Sequence, residues 1–180
     1  MTKKILAFGA SNSRNSINKQ LASYAAGQLT DVEVVLLDLN DFEMPIYSID
    51  REKESGIPQL AEQFKQHVRD ADGIVISFAE HNGAYTAAFK NVMDWMSRLE
   101  GSIWEDKPML LLATSPGGRG GKSVLDLAYR VFSFQNKNVS GSFSLPRFKQ
   151  NFSPDEGILD PALAAELREQ LAAFELVFRQ

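Results

Sequence analysis

Gly73-Ile74-Val75-Ile76-Ser77-Phe78 runs directly into Ala79-Glu80-His81-Asn82-Gly83-Ala84-Tyr85-Thr86 and then into Ala87-Ala88-Phe89-Lys90-Asn91-Val92-Met93-Asp94-Trp95. The first piece is a short, nearly unbroken apolar run, the signature of a strand buried on both faces. Asn82-Gly83 is a strong turn signal. From Phe89 the apolar positions Val92, Met93, Met96 and Leu99 recur at helical spacing. A strand, a polar loop and an amphipathic helix in that order make one half of a βαβ unit, whose loop lies at the carboxyl end of its strand. Open α/β sheets hold their ligands at that edge.

The same alternation extends in both directions. Lys4–Phe8, Val32–Leu37, Met109–Ala113 and, more weakly, Val139–Leu145 read as strands. Helical spacing appears in Ile17, Leu21, Ala25 and Leu29, in Ile57, Leu60, Phe64 and Val68, and in Val124, Leu125, Ala128, Val131 and Phe132. It recurs in Leu163, Leu167, Leu171, Phe174 and Phe178. Five such units imply an α/β, doubly wound, five-stranded parallel sheet with helices on both faces. The length suits the flavodoxin-like strand order 2-1-3-4-5 rather than a six-stranded dinucleotide fold. A loop around Pro45 is unusually apolar, carrying Phe42, Met44, Ile46 and Tyr47. Pro146–Asp160, polar and with two prolines, is expected to be the loosest part of the chain.

Composition narrows the function classes. With 180 residues the chain is expected to form a single domain, 1–180. It has no cysteine, which excludes disulfides and thiol chemistry, and only two histidines, His67 and His81, whose spacing fits no metal motif. A net charge of -4 argues against nucleic-acid partners. No apolar run approaches membrane-spanning length, and Ile5–Phe8 is too short for a signal core, so a cytoplasmic location is expected. His67 is expected on an exposed helix face, and Glu52, Lys53 and Glu54 in a solvated charge run. Met93, Trp95 and Met96 belong to a core stripe, one flank of which is a candidate oligomer interface.

Three loops would meet at one edge of such a sheet. The first, Gly9-Ala10-Ser11-Asn12-Ser13-Arg14-Asn15-Ser16-Ile17-Asn18, offers hydroxyls and free backbone N–H groups at a helix start, with Arg14 to add charge-assisted bonds. One helix cap at Ser16 does not account for Ser11, Ser13, Arg14, Ser16 and Asn18 together, so the loop reads as a phosphate site. It lacks G-x-G-x-x-G, and Asp38 is accordingly read as a solvated strand end rather than a ribose ligand. In the second loop, Glu80 and His81 are sequence neighbours with no nucleophile, so backbone groups facing a planar heterocycle are the better reading than an acid–base pair. The third loop, Ser115-Pro116-Gly117-Gly118-Arg119-Gly120-Gly121-Lys122-Ser123, imitates a P-loop ending. Pro116 stands where a P-loop needs glycine, and no later strand ends in an acid. Its glycines suit close approach of backbone to a flat ring.

Taken together, the loops resemble those of the NAD(P)H-dependent FMN reductase family, flavodoxin-like flavoproteins that include quinone, azo-dye and chromate reductases. The family's first loop runs roughly G-S-x-R-x-x-S-x-N, matched in chemistry by Ser11, Ser13, Arg14, Ser16 and Asn18, although Arg14 lies one residue closer to Ser16. Its second, P-E-Y-N-G-S/A followed by K-N-x-x-D-W, is matched by Glu80, Asn82, Gly83, Lys90, Asn91, Asp94 and Trp95, with Ala79 and His81 replacing proline and tyrosine. Its third, S-P-G-G-x-G-G, is matched throughout Ser115–Gly121. The resemblance implies flavin mononucleotide (FMN), with its phosphate at the first loop. Its ring would lie between Ala79, Glu80, His81, Asn82 and Gly83 on one side and Ser115, Gly117, Gly118, Arg119 and Gly120 on the other. It also implies NAD(P)H as donor, a small-molecule electron acceptor and a homodimer or homotetramer. It implies no catalytic side chain beyond the cofactor. A flavodoxin-like electron carrier and a non-catalytic FMN-binding protein remain as alternatives, although the T-x-T-G-x-T loop of such carriers is missing.

Overall fold

The computed structural model describes residues 2–180. Strand β1 (Lys3–Ala10) leads through the first loop to helix α1 (Ile17–Gly27), then β2 (Val32–Leu37), a 3-10 turn (Leu39–Phe42), α2 (Ile49–Ser55) and α3 (Gln59–Asp70). β3 (Gly73–Phe78), α4 (Ala87–Met96), β4 (Met109–Thr114), α5 (Lys122–Gln135) and β5 (Val139–Leu145) follow. The chain closes with α6 (Phe148–Asn151), a small hairpin of β6 (Phe152–Ser153) and β7 (Gly157–Ile158), and α7 (Pro161–Phe178). The five long strands pair in parallel in the order β2-β1-β3-β4-β5, as the alternation implied.

The pleat divides each central strand between two cores. Ile5 and Ala7 of β1, Val75 of β3, and Leu110 and Leu112 of β4 face one layer, where Leu21 and Ala25 of α1 meet Leu167, Leu171, Phe174 and Phe178 of α7. Leu6, Phe8, Ile74, Ile76, Phe78 and Leu111 face the other, against Phe64 of α3, Phe89 and Trp95 of α4, and Phe132 of α5. Every residue of β3 and β4 is buried, which is why they read as continuous apolar runs. β2 lies at the edge, and its Val34 and Leu36 stay exposed. Helix starts follow local chemistry. Ser16, Thr86 and Asp160 cap α1, α4 and α7 by accepting backbone N–H groups, and Pro161 sits at the first turn of α7.

Several expectations need correction. Pro146–Asp160 is not loose. Phe148, Phe152 and Ile158 are buried, Phe152 packs edge-to-face on Tyr24 at 5.4 Å, and the Asn151 amide donates to the Pro146 carbonyl at 2.8 Å. Met93, Trp95 and Met96 are already covered within one chain, so they present no interface. The Trp95 indole N–H donates to the Pro45 carbonyl at 2.7 Å instead. Glu52 is not merely solvated. It accepts from Arg98 Nε at 2.9 Å and from the Tyr47 hydroxyl at 3.0 Å, and the Arg98 bond holds its carboxyl below the usual range. Asp38 accepts from Lys19 Nζ at 2.6 Å and caps the 3-10 turn at the Asn40 N–H, so it joins α1 to the end of β2. His67 is half-buried, edge-on to Phe42.

Candidate functional site

The loops after β1, β3 and β4 come together at the carboxyl edge of the sheet because those strands are adjacent in space. In the first loop the backbone folds onto its own serines. The Ser13 N–H donates to Ser11 Oγ at 3.1 Å, and the Lys19 N–H donates to Ser16 Oγ at 3.1 Å. Each hydroxyl thus accepts one bond and keeps its own proton to donate. Ser13 and Arg14 are exposed, and among the described residues the Arg14 guanidinium has no hydrogen-bond or ion-pair partner.

The second loop is a two-residue hairpin. Asn82 (φ 53°) and Gly83 (φ 77°) take the left-handed region, and His81 and Ala84 exchange backbone bonds of 3.0 and 3.1 Å. Asn-Gly favours this turn because both central residues need positive φ. His81 stands at the exposed tip, whereas the half-buried Glu80 turns toward α5 and accepts the Val124 N–H at 3.1 Å. The two side chains do not converge. Glu80 caps a helix, where a carboxylate is favoured by the helix dipole.

The third loop is pinned from below. The Arg147 and Phe148 N–H groups donate to the Gly117 and Ser115 carbonyls at 2.9 and 3.1 Å, and Ser144 Oγ donates to the Gly120 carbonyl at 3.0 Å. Gly120 (φ 59°) must be glycine, since a Cβ there would lie 2.9 Å from Pro146 N and 3.0 Å from Leu145 C. Gly117, Gly118 and Arg119 are exposed; a Cβ at Gly117 would meet only Ser115 Oγ at 3.9 Å, whereas one at Gly118 would touch the Arg147 guanidinium at 3.7 Å.

Asn18 behaves differently from its neighbours. It is 2% exposed and turned inward. Its Oδ1 accepts from Ser77 Oγ at 2.7 Å and from the Thr114 N–H at 3.0 Å, and its Nδ2 donates to the Thr114 carbonyl at 3.1 Å. Sequence reasoning missed three contributors. Gly9 lets the first turn of α1 lie against β1. The Thr86 hydroxyl donates to the Ala10 carbonyl at 3.0 Å while capping α4. Arg147, in a left-handed conformation (φ 46°), stands close to Gly118. A threonine just before a helical pattern is a readable cap signal; nothing local marks the other two. Beneath the second loop the Tyr85 hydroxyl is buried without a partner among the described residues, and burial pushes its pKa up to about 12.

Arg14 and Arg119, on the loops, and Arg147, beside Gly118, have no carboxylate partner among the described residues. A cleft of about 480 Å³ runs from Arg14 along α1 to Tyr24 and Phe152, and another of about 480 Å³ lies between Arg119, Lys122 and Pro146. Neither takes in all three loops. No helix is long and apolar enough to cross a membrane, and no group of three or more acidic or histidine side chains could hold a metal ion, among the described residues.

The family described as NADPH-dependent FMN reductase matches residues 3–150, which include all three loops. A 2-hydroxy-1,4-benzoquinone reductase of Burkholderia sp is 38% identical over 122 residues, 67% of this chain and 64% of that protein. A quinone reductase of Escherichia coli (strain K12) is 30% identical over 138 residues, 73% of this chain and 72% of that protein. Among solved structures, the flavoenzyme NAD(P)H:(acceptor) oxidoreductase FerB from Paracoccus denitrificans shares the fold with a TM-score of 0.73 at 23% identity, over 98% of this chain and 97% of its own. A match to the family model across all five long strands and all three loops leaves one conclusion: this chain belongs to the NADPH-dependent FMN reductase family.

Proposed function

We propose that the protein is an FMN-dependent NAD(P)H oxidoreductase that passes electrons from a nicotinamide to a quinone, a free flavin or a similar small acceptor. The observation that carries this reading is the convergence at one sheet edge of donor-rich, unpaired groups and open glycine backbone. The donors suit a phosphate: the Ser11 and Ser16 hydroxyl protons, Ser13, and an Arg14 guanidinium free to make charge-assisted bonds. The start of α1 adds backbone N–H groups and the favourable end of its dipole. The glycines suit a flat ring. A Cβ at Gly83 would meet nothing within 4 Å, and at Gly117 only Ser115 Oγ at 3.9 Å. On this reading Ala79, Glu80, His81, Asn82 and Gly83 line one side of the ring and Ser115, Gly117, Gly118, Arg119 and Gly120 the other.

FMN, when bound there, supplies reversible two-electron chemistry between a hydride donor and an acceptor. The chain's own work is to hold the phosphate, fix the ring and leave one face open for donor and acceptor in turn. That division of labour accounts for the absence of a convergent acid–base pair at Glu80 and His81. The whole chain is proposed to act as one domain, in the cytoplasm, as a homodimer or homotetramer. Large apolar side chains left in solvent, Phe134 at 92% and Leu176 at 71% exposure, support the association. The reading is tested by the visible spectrum of the purified protein and its bleaching by NADPH without oxygen. A colourless protein that cannot be reconstituted with FMN refutes it. Arg14→Ala should cost about 1.5–3 kcal/mol of phosphate binding, or about tenfold to a hundredfold in FMN affinity. Unchanged affinity removes Arg14 from the site.

A further inference from the structure

Asn18 belongs by position to the phosphate loop, yet its side chain is buried and three of its carboxamide's four hydrogen-bonding positions are engaged inside the protein. Both lone pairs of Oδ1 are engaged, by Ser77 Oγ and the Thr114 N–H, and Nδ2 donates to the Thr114 carbonyl. Thr114 in turn donates its hydroxyl to the Leu145 carbonyl at 2.7 Å. A continuous run of bonds therefore links β3, the first turn of α1, the end of β4 and the end of β5. It is out of contact with solvent, since Ser77, Asn18 and Thr114 are 0%, 2% and 1% exposed. Gly9 makes the approach possible. A Cβ there would stand 2.7 Å from Lys19 Cα and 2.9 Å from the Asn18 carbonyl carbon.

We infer that Asn18 is a positioning residue, not a phosphate ligand: it sets the first loop in register with the third, so that one side chain governs both halves of the flavin site. The inference rests on the flavin reading above and assigns a role within it. Its consequence separates the two roles. A phosphate ligand matters to FMN and not to riboflavin, which has the same ring and no phosphate. A residue that holds the third loop in place matters to both.

The experiment compares FMN and riboflavin binding, by flavin fluorescence quenching, to wild type, Asn18→Asp and Ser77→Ala at a temperature well below unfolding. Asn18→Asp keeps the shape and places a carboxylate against the Thr114 carbonyl. When protonated it regains the donor that Asn18 supplied, and burial favours the protonated form. The expected result is a loss of about tenfold or more for both flavins at pH 8, with riboflavin affinity recovering toward pH 5. Ser77→Ala, which removes one bond and leaves the fold intact, should weaken both flavins by a smaller common factor. Loss of FMN binding with riboflavin untouched would make Asn18 a phosphate ligand and overturn the inference, and so would wild-type affinity for both in Asn18→Asp. Wild-type protein that binds neither flavin would remove the flavin reading itself and this role with it.

Discussion

Gly9 lies near the end of β1 and Gly27 ends α1, and the structure predicts opposite signs for an alanine at the two positions. At Gly9 an added methyl meets backbone, not a movable side chain: Lys19 Cα at 2.7 Å, the Asn18 carbonyl carbon at 2.9 Å and the Lys19 nitrogen closer still. Either the core absorbs the clash, which for an overpacked site costs about 1–3 kcal/mol, or the first turn of α1 lifts away. Lifting it breaks the three buried bonds of Asn18, at about 1 kcal/mol each. The cheaper route sets the loss, at about 1–3 kcal/mol. For a domain of this size that lowers the melting temperature by about 2–12 °C. At Gly27 nothing lies within 4 Å, and the residue is helical. Alanine there should stabilise by about 0.4–1 kcal/mol through reduced unfolded-state entropy and better helix propensity. Thermal and urea unfolding of flavin-free protein, followed by circular dichroism, measures both. A Gly9→Ala protein that melts within about 2 °C of wild type would refute the close approach of α1 to β1 and the Asn18 geometry that depends on it.

Glu80 should act chiefly through its bond to the Val124 N–H, with its charge at the helix start a smaller contribution. Glu80→Ala is expected to cost about 0.5–2 kcal/mol, as a lost helix cap does, while Glu80→Gln, which keeps an acceptor, costs much less. Equal losses in urea unfolding would point to the charge. Acid should destabilise the fold through Asp38, Asp72, Glu52 and Glu105. Their carboxyls are held low chiefly by Lys19, the Lys4 N–H, Arg98 and Lys65 respectively. A depressed folded-state pKa means that this stability is fully present above the unfolded value, near 4, and is lost as pH falls through the folded value. Melting temperature is therefore expected to hold from pH 7 to about 5 and to fall below about 4, with Lys19→Met showing a shallower fall; an identical fall in that variant would remove Asp38 from the set.

The fold was legible where one layer of burial decides the pattern. β3 and β4 are buried on both sides and cannot help reading as apolar runs. α2 was not legible, because none of its residues is buried. It is anchored by a clamp between Tyr47, Glu52 and Arg98, and the bond from Arg98 to Glu52 spans 46 positions of sequence. Pro146–Asp160 misled for a related reason. Phe148, Phe152 and Ile158 are spaced to fit a surface made by α1 and its Tyr24, not a helix or strand period. The meeting of three loops at one edge was legible in the sequence, and the separate tasks of their side chains were not. Ser16 and Asn18 stand two residues apart on the same loop, yet Ser16 keeps its hydroxyl proton to donate while Asn18 turns inward and makes its three bonds to Ser77 and Thr114.

That difference in roles has a physical logic. Each pair of loops is joined by a buried or half-buried bond of its own. Thr86 ties the second loop to the end of β1 at Ala10, Glu80 ties the second loop to α5 just beyond the third, and Asn18 ties the first loop to Thr114 at the root of the third. The three ties close a ring. A ligand entering such a ring does not have to order three separate loops, and the conformational entropy it would otherwise lose on binding is already spent in folding. The same closure makes the loops interdependent. A change that lifts the first loop draws on Asn18, through it on Thr114, and so on the glycine loop that begins at Ser115. Polar residues whose bonds run from loop to loop can therefore govern how tightly a ligand is held, and Asn18 and Glu80 lie among those that the loop pattern alone would assign to the ligand.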